Sequence, residues 1–143
     1  MLAGKIDKVL YGGDYNPEQW PKEIWRDDMR LLDLAGIDIL TVNVFSWALL
    51  QPCEDVYDFS TLDAIIETAG AAGMKICLAT GTATAPAWMA RKYPEVLRVN
   101  SDGSKRKFGD RQNSCPNSKI FRMYSARLAR RLAERYGKLE NLA

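Results

Sequence analysis

A carboxylate, a phenol and an amide stand in a row at Asp14-Tyr15-Asn16. They lie inside the stretch Tyr-Gly-Gly-Asp-Tyr-Asn-Pro-Glu-Gln-Trp-Pro, from Tyr11 to Pro21. Such a cluster can donate and accept hydrogen bonds beside an aromatic face. A turn needs less, since Gly, Asn and Ser bend a chain as well. The loop therefore either lines a site or packs its Tyr and Trp over the start of the next helix. Later apolar runs end in the same kind of groups: Ser46-Trp47, then Thr80, Thr82 and Thr84. Aromatic faces beside polar groups suit a sugar ring, which offers C–H faces and hydroxyl edges. The plainer reading of Trp47 is a cover over the top of the barrel that such strands would build.

The sequence contains no histidine. That excludes a Ser-His or Cys-His nucleophile pair within these residues, and a His-based metal site. Acid–base chemistry must rest on carboxylates, Lys, Tyr or Cys. The three cysteines, Cys53, Cys77 and Cys115, are scattered and include no Cys-x-x-Cys pair. They argue against a disulfide framework and for a reducing, cytoplasmic setting. No run approaches the roughly 20 apolar residues that span a bilayer. The start, Met-Leu-Ala-Gly-Lys-Ile-Asp-Lys, lacks the apolar core of a signal peptide.

Net charge is +2 but unevenly placed: residues 1–90 carry −7 and residues 91–143 carry +9. A basic third is compatible with nucleic acid. The favoured reading is a solvated helix face plus a basic loop, with no nucleic-acid partner.

Three apolar runs must position these groups. Val9–Tyr11 reads as a short first strand, stopped by Gly12-Gly13. Asp38–Phe45 and Lys75–Gly81 are nearly continuous in apolar and β-branched residues, which suits parallel strands covered on both faces. Cys77 then reads as a small core residue. A helix over 21–35 opens on Pro21 and ends at Gly36. A second helix begins at Ser60, whose spacing to Asp63 is that of a capping box. Its stripe is Leu62, Ile65, Ile66 and Ala69, and Gly73 ends it. Ala87–Lys92 is a short helix. Asp102-Gly103 predicts a hairpin between Val96–Val99 and Lys105–Phe108. A last helix, capped by Asn117 or Ser118, has Ile120, Phe121, Tyr124, Leu128, Leu132 and Tyr136 as its apolar face.

Strand–helix repetition of this kind gives parallel strands with right-handed crossovers. The first turn is not Gly-x-Gly-x-x-Gly, and its bulky residues would block a pyrophosphate. A (β/α)8 barrel, with its site at the strand C-terminal ends, fits better. Such a barrel needs about 250 residues. The expected fold is thus α/β: a partial (β/α)8 barrel of three βα units, truncated before the fourth strand, with residues 1–143 as one portion of the domain.

Five ordered motifs carry a resemblance. They are Tyr11–Pro21, Asn43-Val-Phe-Ser-Trp-Ala-Leu-Leu50, Val56-Tyr-Asp-Phe-Ser60, Thr82-Ala-Thr-Ala-Pro-Ala-Trp88, and Phe108-Gly-Asp-Arg-Gln-Asn-Ser-Cys-Pro-Asn-Ser118. With them the chain resembles the N-terminal part of glycoside hydrolase family 42 β-galactosidases, which are bacterial (β/α)8-barrel enzymes. The resemblance implies retaining hydrolysis of terminal β-D-galactosyl groups by two glutamates. The acid/base follows an asparagine after strand four, and the nucleophile comes after strand seven. A retaining enzyme holds two such carboxyls about 5–5.5 Å apart. No Asn-Glu pair occurs here, and Glu140-Asn141 has the reverse order. The residues in hand therefore contain neither catalytic glutamate, and the chain alone is expected to be inactive.

The resemblance makes Asp14, Tyr15 and Asn16 walls of a galactose pocket. It matches Arg111 to a galactose-contacting arginine, against the alternative of an ion pair with Asp110 or Asp14. It matches Cys115 to the first of four zinc cysteines in some members. No cofactor is required, a structural zinc is possible in the full-length parent, and the parent is expected to be a homotrimer. Two departures stand out: Gln51-Pro52 where the family commonly has Glu-Pro, and Glu54-Asp55 where it has an acidic-Gly step. The competing reading is a non-catalytic carbohydrate-binding or assembly module.

Overall fold

The computed structural model describes residues 8–143, so the segment examined for a leader lies outside the described residues. The chain divides into two compact units. The first comprises Met1–Val44, Ser60–Ala79 and Tyr136–Ala143; the second comprises Phe45–Phe59 and Thr80–Arg135.

In the first unit three parallel strands lie in the order β1 (Gly12–Asp14), β2 (Ile39–Val42), β3 (Lys75–Leu78). Register pairs Asp14 with Thr41, and Thr41 with Cys77. Helix α1 (Trp25–Leu34) follows β1 and α3 (Ser60–Ala71) precedes β3. Both helices stop on a left-handed glycine. Gly36 has φ 72°, with Ile37 N–H bonded to Leu32 C=O; Gly73 has φ 76°, with Met74 N–H bonded to Ala69 C=O. These are the 6→1 bonds of the Schellman motif. The expected stripe Leu62, Ile65, Ile66 and Ala69 is buried.

Three expectations need correction here. The first strand starts at Gly12 rather than ending there. A Cβ on Gly12 would lie 1.7 Å from the Ile39 carbonyl oxygen, so this glycine admits the neighbouring strand. The first helix is preceded by 3-10 turns at Pro17–Gln19 and Lys22–Ile24, and its regular part begins only at Trp25. The strands are buried on one face within this unit. Leu40, Val42 and Ile76 are inside, whereas Cys77 is exposed and Thr41 half-buried. Period-2 alternation places Asp14, Thr41 and Cys77 in one row on the less covered face. The last residues add to the sheet: Leu142 pairs parallel with Ile76, through Ile76 N–H to Asn141 C=O at 2.7 Å and Ala143 N–H to Ile76 C=O at 2.9 Å. This single bridge stands at the position where a fourth strand is expected, and the sheet itself has three strands.

The second unit has little regular sheet. It holds α2 (Trp47–Leu50), α4 (Ala87–Lys92) and most of α5 (Lys119–Tyr136). Trp47, Leu50, Met89, Val96 and Leu128 are fully or nearly fully buried. Ser118 caps α5 by accepting from Phe121 N–H at 3.3 Å. The hairpin shrinks to a single bridge, Val99 with Lys105, and Leu97 bridges instead to Ser114 beyond it. Val96 sits in a 3-10 turn, Lys105–Phe108 forms no strand, and the polar loop at Asn113–Cys115 pairs with residues 96–98.

Candidate active-site loops

The residues expected at the site fall into both units. Asp14 is exposed at the C-terminal end of β1. Tyr15 continues the ladder through its N–H to Thr41 C=O at 2.9 Å. Its hydroxyl turns to α1 and donates to Asp28 Oδ2 at 2.8 Å. Burial first, then the Asp28 carboxylate and the charge of Glu18, pushes the phenol well above its ordinary pKa. Tyr15 is thereby a neutral donor committed to the helix. Asn16 is half-buried, and its side-chain Oδ1 is enclosed with no hydrogen-bond partner. An enclosed acceptor of this kind costs stability until a donor reaches it.

Sequence reasoning passed over Asn43. It follows β2 with φ 68°, a left-handed conformation that Asn tolerates better than most residues. Its amide donates to Ala79 C=O at 2.9 Å, while its own Oδ1 is buried and unpartnered. An Asn closing an apolar strand was the available signal.

In the second unit Trp47 is 0% exposed, and its indole N–H donates to Gln51 Oε1 at 2.9 Å. Its ring meets Phe121 at 5.8 Å between centroids. The indole therefore fills the core of this unit and presents no face to a ligand. Arg111 is exposed, with its guanidinium 4.5 Å from the Phe45 ring centre. Asp110 does not neutralise it: that carboxylate accepts the Arg111 backbone N–H at 2.7 Å and pairs with Arg106 at 3.8 Å. The Arg111 guanidinium thus lies over an aromatic ring.

The departures in the second-strand loop acquire a physical role. Gln51 is fully buried: it accepts from Trp47, donates to Glu54 C=O at 2.6 Å, and takes the Trp88 indole N–H on its own carbonyl at 2.8 Å. The Glu54 carboxylate receives Lys92, Tyr93 (2.5 Å) and Tyr124. Those donors, Lys92 foremost, hold Glu54 down to about 2. Burial and the Glu54 carboxylate push the Tyr124 phenol up. Along the basic helix, Arg127, Arg131 and Arg135 lie over the Tyr124, Tyr57 and Phe59 rings at 5.1, 4.1 and 5.5 Å.

Cys115 is half-buried, its backbone N–H bonded to Val96 C=O at 2.7 Å. Among the described residues no group of three or more His, Cys, Asp or Glu is placed to hold a metal. A zinc site needs about four ligands, so these residues do not fit one by themselves. No described helix is long and apolar enough to cross a membrane.

Known proteins align with this arrangement. The chain is 60% identical over 137 residues to the β-galactosidase BgaA of Planococcus sp. (strain 'SOS Orange'), covering 95% of this chain and 20% of that protein. It is 52% identical over 135 residues to the β-galactosidase LacZ of Heyndrickxia coagulans, covering 94% and 20%. Among solved structures, the β-galactosidase from Bacillus circulans sp. alkalophilus superposes with a TM-score of 0.94 at 56% identity, over 99% of this chain and 21% of that one. The chain spans about a fifth of the length of these relatives, and its three-strand sheet matches the N-terminal part of their barrel. The family model described as beta-galactosidase, glycoside hydrolase 42, matches residues 14–143, and the chain belongs to that family.

Proposed function

We propose that residues 1–143 form the N-terminal portion of a (β/α)8 glycosidase catalytic domain, and that the whole protein hydrolyses terminal non-reducing β-D-galactosyl residues with retention. Family membership and the β-galactosidase names of the relatives support this reading. The observation that carries it to particular residues is Arg111. Its guanidinium rests on Phe45, and among the described residues no ion pair consumes its donors. The family resemblance extends the proposal to Asp14 and Asn16 of the first unit, while Tyr15 is committed to α1 and Trp47 to the core of the second unit. The two working carboxylates belong to the remaining four-fifths of the protein, so the 143-residue chain binds and orients but does not cleave. Hydrolysis of this kind calls on no cofactor, and a structural zinc would draw only one ligand, Cys115, from these residues. The setting is proposed as cytoplasmic, and the whole protein as a homotrimer.

The test is a chimera in which residues 1–143 replace the matching fifth of the Planococcus relative. It should hydrolyse a β-galactoside, and Arg111→Ala should lower kcat/KM by about 10- to 100-fold, the loss of charge-assisted hydrogen bonds. An inactive but folded chimera, or an Arg111→Ala variant with unchanged kcat/KM, would overturn the assignment. Turnover by the 143-residue chain alone would overturn the placement of the carboxylates.

A further inference from the structure

The second unit contains a cavity of about 220 Å³ that the glycosidase reading leaves unused. Its one charged wall is Arg98. The Arg98 backbone is fixed on both sides, its N–H bonded to Asn113 C=O at 2.7 Å and its C=O accepting Arg106 N–H at 2.8 Å. The side chain is half-buried, with no carboxylate lining the cavity and no ion pair among the described residues. Opposite charge is normally supplied to a guanidinium withdrawn from water.

Ser114 lines the same cavity. It is 8% exposed, and its hydroxyl is enclosed without a hydrogen-bond partner. The neighbouring Gln112 is held at φ 54° by its N–H bond to Ala83 C=O at 2.9 Å. That strained conformation brings a third polar residue to the wall. Pro116, Phe121 and Ala83 make the apolar remainder. At about 30 Å³ per water-sized group, the space holds roughly seven heavy atoms.

We infer that this cavity binds a small organic carboxylate, its oxygens on the Arg98 fork and Ser114 hydroxyl and its short carbon body against Phe121 and Pro116. A planar carboxylate matches the guanidinium geometry, and the apolar walls favour a carbon body over a bare inorganic ion. The same group can come from a free organic acid or from an Asp or Glu elsewhere in the longer polypeptide.

Equilibrium dialysis with labelled propionate distinguishes these sources, using the 143-residue chain and the Planococcus chimera, with chloride as competitor. Saturable binding that survives chloride and weakens about tenfold or more in Arg98→Gln supports the site. A smaller loss is expected for Ser114→Ala, and partial recovery for Arg98→Lys. Binding by the chimera identifies a free acid as occupant. Binding by the short chain alone identifies a carboxylate of the longer polypeptide. Absence of saturable binding by both forms, or binding that Arg98→Gln leaves unchanged, overturns the inference.

Discussion

The two units are held together by different means. In the first, backbone pairing and apolar stripes dominate: three parallel strands, two helices ended by left-handed glycines, and a sheet face of Leu40, Val42 and Ile76. In the second, side-chain hydrogen bonds converge on Gln51 and Glu54 from α2, α4 and α5. Periodic structure tolerates many local substitutions because each contributes little. A polar hub concentrates the dependence in a few atoms, since every buried partner left unpaired costs free energy.

The largest break in that comparison is expected at Gln51. Gln51→Ala strands the buried Trp47 N–H and the Glu54 carbonyl and leaves a cavity. It should destabilise the second unit by about 3–5 kcal/mol. Hydrogen exchange read by segment should rise across 45–59 and 80–135 while the protection of α3 persists. Uniform loss across both units would erase the contrast.

Gly12→Ala is the counterpart in the first unit. Its Cβ collides with the Ile39 carbonyl, so the loss should be about 2 kcal/mol and confined to β1 and its neighbours. A thermal melt matching the parent would show that the strands separate without cost.

Tyr15→Phe tests the weaker tie between β1 and α1. Removing a half-buried hydroxyl bond to Asp28 should cost about 1 kcal/mol by denaturant titration. No change would leave Tyr15 free for a ligand.

The mildest perturbation is a proton on Glu54. Its folded pKa, about 2, lies below the ordinary 4.5. The contribution is therefore fully present above about pH 4.5 and is lost as pH falls towards 2. Solvent screening limits its size, because the carboxylate is not fully enclosed. Exchange in α4 and α5 should rise through that window in the parent and stay flat in Glu54→Gln.

This division also explains what could be read from residues alone. The α3 stripe and both glycine stops were legible because spacing of 3–4 and a left-handed end are local properties. The first strand was misplaced because Gly12 looks like a stop, and only the neighbouring Ile39 carbonyl shows it to be a requirement. Gln51 and Glu54 registered as departures from a family pattern, with no hint that both are hubs. Their partners lie up to 70 positions away, as Tyr124 does from Glu54. Trp47 illustrates the same limit at the site. An aromatic at a strand end reads equally as ligand platform or core, and 0% exposure decides for the core here.

The pairing of Leu142 with Ile76 has a temporal consequence. The partner of β3 is synthesised 66 residues after it. At roughly 5–20 residues per second, the edge of β3 waits about 3–13 s on the ribosome before its neighbour exists. For that interval the Ile76 N–H and C=O are open to any extended segment nearby. Nascent chains of this protein therefore pass through a window of intermolecular mispairing whose length is set by translation speed, so slow codons between Leu78 and Leu142 would lengthen it.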